Sequence, residues 1–420
     1  MRVLILSLSY RGGGAQRCAR ELFEWLPGLG IETQMWVGER SPSDPAGVVG
    51  LKRSWERRLG FLEAMPHWTD WRHVESRRRL DRIEPGDFDV VHIHVLHGGY
   101  TSVKAVHRLC QRIPSVWTFH DEWPVTGGSC YHLGDRIDPW EVKRMTSGVF
   151  RYVPYHSYHD NFRFLGLRRF LDRWMPQPAA IISPSRYLLE LAEASRRFPA
   201  ARFHRIPNAV ALGEQPDANM CREQARRTFN LMTGRPVILL VAANIDEPRK
   251  GMALAVDAIH RIASSHGEIQ VLVLGKSTGR IAAALHNFPV VATYAGDDAT
   301  LARAYRAADV TLIPSLADNL PYVALESLAC ATPVVAFRVG GLTEIVGDDE
   351  RGLLAKAYDV DALARAVVTL LRNQSLRAEM GRAGREWVDR ECNVTNYLAA
   401  VKSVYDAVRP EPTADADDSR

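Results

Sequence analysis

Residues 315–345 read SLADNLPYVALESLACATPVVAFRVGGLTEI. The run DVTLIPS leads into them with the composition of a buried strand end, and PVVAF, residues 333–337, reads as a second strand. A helix fits between the two, and the turn Gly340-Gly341 opens another helix. Asp318 and Glu326 are the carboxylates of this unit. A helix beginning near Asn319 places Asp318 at the N-cap and Glu326 two turns further in. Both then lie at the mouth of a strand–helix crevice, where open α/β sheets bind ligands. The competing reading makes Asp318 only a cap and Glu326 only a solvated helix residue, with no part in a site.

The same alternation runs outward in both directions. Short apolar runs at 2–8, 33–37, 89–95, 115–119 and 179–183 read as strands. After a gap come 236–242, 269–274, 290–294, 309–313 and 333–337. Amphipathic segments such as 14–26, 101–112, 186–195, 251–264, 299–307 and 361–372 separate them. Continuous apolar runs such as VILLVA suit strands covered on both faces of parallel sheets. The fold class is therefore α/β, built of right-handed βαβ units in two doubly wound, Rossmann-like domains facing a cleft. The Pro- and Gly-containing segment 206–218 reads as the linker. The expected boundaries are 1–207 for an acceptor-binding domain and 208–390 for a donor-binding domain. Residues 391–410 form a helix returning to the first domain, and 411–420 an acidic, disordered tail.

A chain of 420 residues with a net charge of +4 does not by itself point to nucleic acid. The six cysteines are scattered with no Cys-x-x-Cys pair, which argues for reduced thiols in a cytoplasmic chain. The apolar run at the N-terminus is too short for an export signal, and no run is long enough to span a membrane. Residues 51–82 and 162–176 are basic and rich in Trp and Phe, which suits either contact with an anionic membrane surface or ordinary helices packed by their aromatics. No nucleic-acid module accompanies the charge.

Four further stretches carry chemistry. The loop Ser9–Ala15 places Gly12, Gly13 and Gly14 between a strand and a helix, where backbone N–H groups can meet an anion. It is also an ordinary tight turn, and Arg17 occupies the third glycine position of a dinucleotide fingerprint. His92, His94 and His97 end one strand, but no matching carboxylate or Cys cluster makes them a metal site. His94 and the adjacent Gly98-Gly99 turn are expected to line the cleft. The strand VWTF delivers His120 and Asp121 to its end, followed by a loop with Gly127 and Gly128 suited to a lid. Arg249 and Lys250 precede a helix start, where side-chain charge and helix dipole add together to hold a diphosphate.

Taken in order, the glycine loop, His120-Asp121 with WPVTGG, Ile182–Ser185, Ile206-Pro207-Asn208, Pro248–Gly251 and the carboxylate pair with VVAFRVGGLTEIV resemble a family 4 glycosyltransferase of the GT-B fold. The likeness is greatest to the exopolysaccharide-type branch. The resemblance implies retaining transfer of a sugar from a nucleotide-diphosphate donor to a hydroxyl acceptor, a glycan or a lipid-linked oligosaccharide. It implies no cofactor, no metal ion and no nucleic acid as partner, and a cytoplasmic protein able to sit at the inner face of a membrane. It makes His120, Arg249, Lys250 and Asp318 catalytic. Gly13, Gly14, Asn244, Asn319, Leu320 and Glu326 join Arg249, Lys250 and Asp318 on the donor, with Glu326 at the ribose. His94, Asp121, Gly127 and Gly128 face the acceptor. The family's E-x7-E pair has Asp318 in place of its first Glu, and Ala243-Asn244 stands where a Gly-Arg pair is common. Cys130 stands alone where relatives carry several cysteines, which implies neither metal nor disulfide in that loop. A GT-B epimerase or hydrolase, a non-catalytic GT-B scaffold and a nicotinamide enzyme are the competing readings.

Overall fold

The computed structural model describes residues 1–52, 73–126, 130–131, 169–211, 220–276 and 278–409. Gly127, Gly128, residues 53–72 and 162–168 of the basic stretches, 212–218 of the expected linker and the tail 411–420 lie outside them.

Seven parallel strands form the first sheet: β1 (Arg2–Ser7), β2 (Glu32–Val37), β3 (Val48–Gly50), β4 (Val90–Ile93), β5 (Ser115–Thr118), β6 (Ala180–Ser183) and β7 (Arg202–Arg205). Their order is β3-β2-β1-β4-β5-β6-β7. A second parallel sheet holds β8 (Val237–Asn244), β9 (Gln270–Lys276), β10 (Val290–Thr293), β11 (Val310–Ile313), β12 (Val334–Phe337) and β13 (Gly352–Ala355), in the order β10-β9-β8-β11-β12-β13. This is the GT-B arrangement of two doubly wound units. In each sheet the winding reverses once, between β1 and β4 and between β8 and β11. Loops that leave neighbouring strands in opposite directions open a crevice at that point.

Alternation along the strands separates the cores. Val3 and Ile5 pack with Cys18, Ala19 and Leu22 of helix Gly14–Trp25. Leu4 and Leu6, on the opposite face, pack with Leu80, Ala105, Val106 and Leu109. The strands unanticipated from sequence are β3, β7 and β13, and each is an edge. An edge strand is covered less completely and lacks the continuous apolar run that marks a central one. β7, for example, reads RFHR and is partly exposed throughout.

The C-terminal helix Val394–Val408 crosses to the first domain. Tyr405 Oη and His92 Nδ1 are 2.6 Å apart, Tyr397 Oη lies 3.5 Å from Cys18 Sγ, and Arg202 donates to the Ala407 carbonyl at 3.2 Å.

The opening stretch differs from expectation at one point. The helix after β11 is Tyr322–Ala329, with Pro321 as its N-cap. Proline's fixed φ starts the helix there and leaves Asp318 in the preceding turn. Asp318 is thus not a cap, and Glu326 sits one turn into the helix, not two. The Gly340-Gly341 turn closes over that segment. Gly340 has φ +48°, and a Cβ there would lie 2.0 Å from the Asp318 carbonyl oxygen. At Gly341 a Cβ would meet the Asn319 oxygen at 1.7 Å. Glycine is required because two backbones touch.

A comparison of two alanine variants tests this packing. Gly267 also has positive φ, +96°, but faces open space. Gly267→Ala is expected to cost about 1 kcal/mol through backbone strain alone. Gly340→Ala should cost at least about twice that, because Asp318 must also move. Urea unfolding of the two variants reads the difference.

Candidate active site

The two crevices face one another, and a cavity of about 550 Å³ lies between the sheets. β1 contributes Gly12–Gly14 and Arg17, β4 contributes His97, and β5 leads to His120 and Asp121. From the second sheet come Glu247, Arg249 and Lys250 after β8, and Asp318–Val323 with Glu326 after β11.

The centre of the cavity wall given by the second sheet is a carboxylate between two cations. Asp318 Oδ1 accepts from Arg249 Nη1 at 3.0 Å, and Oδ2 accepts from Lys250 Nζ at 2.8 Å. Arg249 also donates to the Ala317 carbonyl and to Glu247, both at 2.8 Å. Burial alone would raise the Asp318 carboxyl, but Lys250 and Arg249 outweigh it and hold it down at about 2. Burial lowers the Lys250 ammonium, and Asp318 opposes that shift. Gly251 has φ +65°, and a Cβ there would lie 1.9 Å from the Pro314 oxygen. Only glycine lets the Arg249-Lys250 turn sit this close to the end of β11. The helix it opens, Met252–His266, has no side-chain cap.

Two more uncapped helix starts reach the cavity itself, at Gly13 and at Pro321. Uncapped N–H groups and the dipole make each of them favourable to an anion. Arg249, Lys250 and Arg17 bring cations to the same cavity, each of them paired with a carboxylate.

Glu326 is 1 % exposed, which removes the solvated-residue reading. It pairs with Arg17 across the cleft and accepts from Tyr305 Oη at 2.8 Å. Arg17 also donates to Glu21 at 2.6 Å and lies over the Tyr322 ring, 4.7 Å from its centroid. In the sequence Arg17 is only the residue that spoils a dinucleotide fingerprint. Its reach to Glu326 spans 309 positions and has no local signal.

The domains are also joined beside Asp318. Asn319 Nδ2 donates to the carbonyls of Phe119 and His120 at 3.3 and 3.2 Å, and Ser185 Oγ donates to Asn319 Oδ1. Asn208 donates to the Leu320 carbonyl at 3.2 Å. Glu344 accepts from the Arg186 amide at 2.7 Å and pairs with Arg205. Tyr131 of the first domain lies under the Arg249 guanidinium, 4.5 Å from it.

Two expected residues stand elsewhere. His94 is 2 % exposed and does not line the cavity; it lies behind His120, its Nδ1 3.0 Å from His120 Nε2. Its ring lies on the same face as that of His92, the two centroids 4.4 Å apart, and His92 is fully buried. Asn244 also stays off the cavity wall, its Oδ1 accepting from the Asp246 amide. His120 does line the cavity. Burial pushes its imidazole down to about 4 against the pull of Asp121, so at neutral pH it is an uncharged hydrogen-bonding group. With Nε2 toward His94, Nδ1 is the nitrogen left for a ligand.

The pairing at Asp318 has a pH signature. A carboxylate with a depressed folded-state pKa stabilises the fold above its unfolded value, near ~3.9. That contribution is lost as pH falls toward about 2. Asp318→Asn is expected to cost on the order of 3 kcal/mol at neutral pH, because two cations lose their counter-charge. The gap from wild type should narrow below pH ~4 in urea unfolding across a pH series.

The model for glycosyltransferase family 4 matches residues 12–214, and that for group 1 glycosyl transferases matches 222–387. A D-inositol 3-phosphate glycosyltransferase of Pseudarthrobacter chlorophenolicus is 28 % identical over 91 % of this chain and 90 % of its own length. A phosphatidyl-myo-inositol mannosyltransferase of Mycolicibacterium smegmatis is 28 % identical over 78 % of this chain and 73 % of its own. Among solved structures, sucrose-phosphate synthase from Thermosynechococcus elongatus superposes with a TM-score of 0.71 at 21 % identity, covering 97 % of this chain and 98 % of that one. Anabaena HepE, solved in complex with UDP, gives 0.65 at 14 % identity, covering 97 % of this chain and 100 % of that one. With two family models covering its two halves and relatives aligned over most of its length, the chain belongs to the family 4 glycosyltransferases.

Proposed function

We propose that this glycosyltransferase is a retaining hexosyltransferase that takes a nucleotide-diphosphate sugar as donor and a hydroxyl of a glycan or lipid-linked glycan as acceptor. The observation that carries the reading is the Arg249–Asp318–Lys250 cluster on a cavity built from both switch points. As the anomeric C–O bond breaks, the electron pair leaves with the diphosphate. Arg249, Lys250 and the adjoining helix start neutralise that charge, so no Mg²⁺ or Mn²⁺ is required at the leaving group. The acceptor oxygen bonds to the anomeric carbon on the face being vacated, and its proton passes to the departing phosphate.

Both Asp318 oxygens are engaged by the two cations. Its side chain therefore positions Lys250 and Arg249, and the backbone of Asn319 and Leu320 is left to meet sugar hydroxyls. Glu326 takes the ribose. Neutral His120 hydrogen-bonds the donor sugar through Nδ1, and Asp121 borders the acceptor side. UDP and GDP donors both fit this chemistry, and the UDP and UDP-glucose complexes of Anabaena HepE favour UDP. The named mannosyltransferase relatives support a lipid-linked acceptor. Among the described residues no helix is long and apolar enough to cross a membrane, so access to such an acceptor is assigned to peripheral contact through the basic aromatic segments.

Transfer from UDP- and GDP-sugars should be followed by NMR. An α-linked product from an α-linked donor supports the mechanism, and a β-linked product overturns it. Lys250→Ala is expected to lower kcat by about 100-fold or more, whereas Glu326→Ala should act mainly on donor KM. Added Mg²⁺ or Mn²⁺ should leave the rate unchanged.

A further inference from the structure

Cys130 stands alone in its loop, and His97 reads in sequence as the last of three histidines without a matching carboxylate. Folding changes both statements. His97 lies just beyond β4, Asp121 just beyond β5, and Cys130 returns to the same point. His97 Nε2 is 2.7 Å from Asp121 Oδ2, and Cys130 Sγ is 3.8 Å from both ring nitrogens of His97. The three donor atoms lie within 4.8 Å of one another, and all three residues line the cleft.

We propose that His97, Asp121 and Cys130 form a zinc site on the first-domain wall of the cleft; among the described residues no fourth ligand joins them, which leaves a coordination position toward the cavity. A tetrahedral zinc ion holds its nitrogen, oxygen and sulfur ligands roughly 3.3–3.5 Å apart. The observed separations bracket that spacing, and an opening of the His–Asp pair by about half an ångström admits the ion. One thiolate, one imidazole and one carboxylate suit zinc and disfavour Mg²⁺ or Ca²⁺, which take oxygen ligands. Three protein ligands with one open position is the pattern of a reactive zinc site, whereas structural zinc sites are closed.

The surroundings already hold the ligands in place. Asp121 Oδ1 accepts from the Trp123 amide at 2.9 Å, which leaves Oδ2 for the ion. The Glu122 amide donates to the Cys130 carbonyl at 2.9 Å and holds Cys130 beside the chain that leaves β5. The next residue is Tyr131, whose ring lies under the Arg249 guanidinium and whose hydroxyl reaches the His120 carbonyl at 3.4 Å. An ion at Cys130 thus fixes the residue through which the acceptor domain touches a donor-side cation. It sits on the acceptor wall and does not replace Arg249 or Lys250 at the diphosphate. An acceptor hydroxyl is the ligand class for its open position.

The test reads metal content and is independent of transfer activity. Untagged protein, purified from zinc-supplemented cells and dialysed against a weak chelator, is analysed by mass spectrometry. About one zinc per chain is expected, with loss in Cys130→Ser and in His97→Gln. Apo-protein titrated with Co²⁺ should develop a thiolate-to-cobalt absorption band that saturates at about one equivalent and is missing in folded Cys130→Ser. Wild-type protein that neither retains zinc nor shows this band overturns the proposal and leaves a hydrogen-bonded His–Asp pair beside a thiol. Full zinc retention in Cys130→Ser also overturns it, and points instead to the buried cluster of Cys18, His94 and His120.

Discussion

The cleft depends on one carboxylate held between two cations. Asp318 is 6 % exposed and the Arg249 and Lys250 side chains only 11 % and 17 %, and none of the three could be buried alone at tolerable cost. Each therefore fixes the others, and with them the turn after β8 against the turn after β11. The glycines at 251, 340 and 341 belong to the same constraint. They let backbone approach backbone closely enough for the ion cluster to form at all. Substituting Asp for the longer Glu of the family pattern fits this geometry. The shorter side chain reaches the neighbouring cations, which engage both of its oxygens.

Around that cluster the two domains are joined by polar contacts of differing character. Asn319 bonds to main-chain carbonyls of the first domain, and Arg17 reaches the Glu326 carboxylate. Both contacts come from residues that also line the cavity, so a ligand there meets the groups that hold the domains together. Closure and ligand binding are in this sense the same set of interactions.

Much of this was legible in the sequence. Central strands such as β1 and β8 betray themselves by runs of apolar residues, and the position of Arg249-Lys250 before a helix start needs only local reasoning. The edge strands β3, β7 and β13 escape notice because partial exposure dilutes that pattern, whereas the edge strand β10 keeps enough of it to be read. The helix at Tyr322 was placed early because Asp318 looks like a cap, although Pro321 carries the stronger signal. Nearness to the C-terminal end of its strand points His94 at the cavity wall, but alternation puts it on the buried face it shares with His92. Arg17 and Tyr131 act across domains, over separations that no local pattern encodes.

The return of helix Val394–Val408 to the first sheet bears on how the chain is made. His92 finds Tyr405, and Cys18 finds Tyr397, only after the last helix has emerged from the ribosome. The domain synthesised first is therefore completed last. Until then its buried histidine and part of its core lack their covering, while the second domain has every strand it needs. Domain order along the chain and order of maturation run in opposite directions.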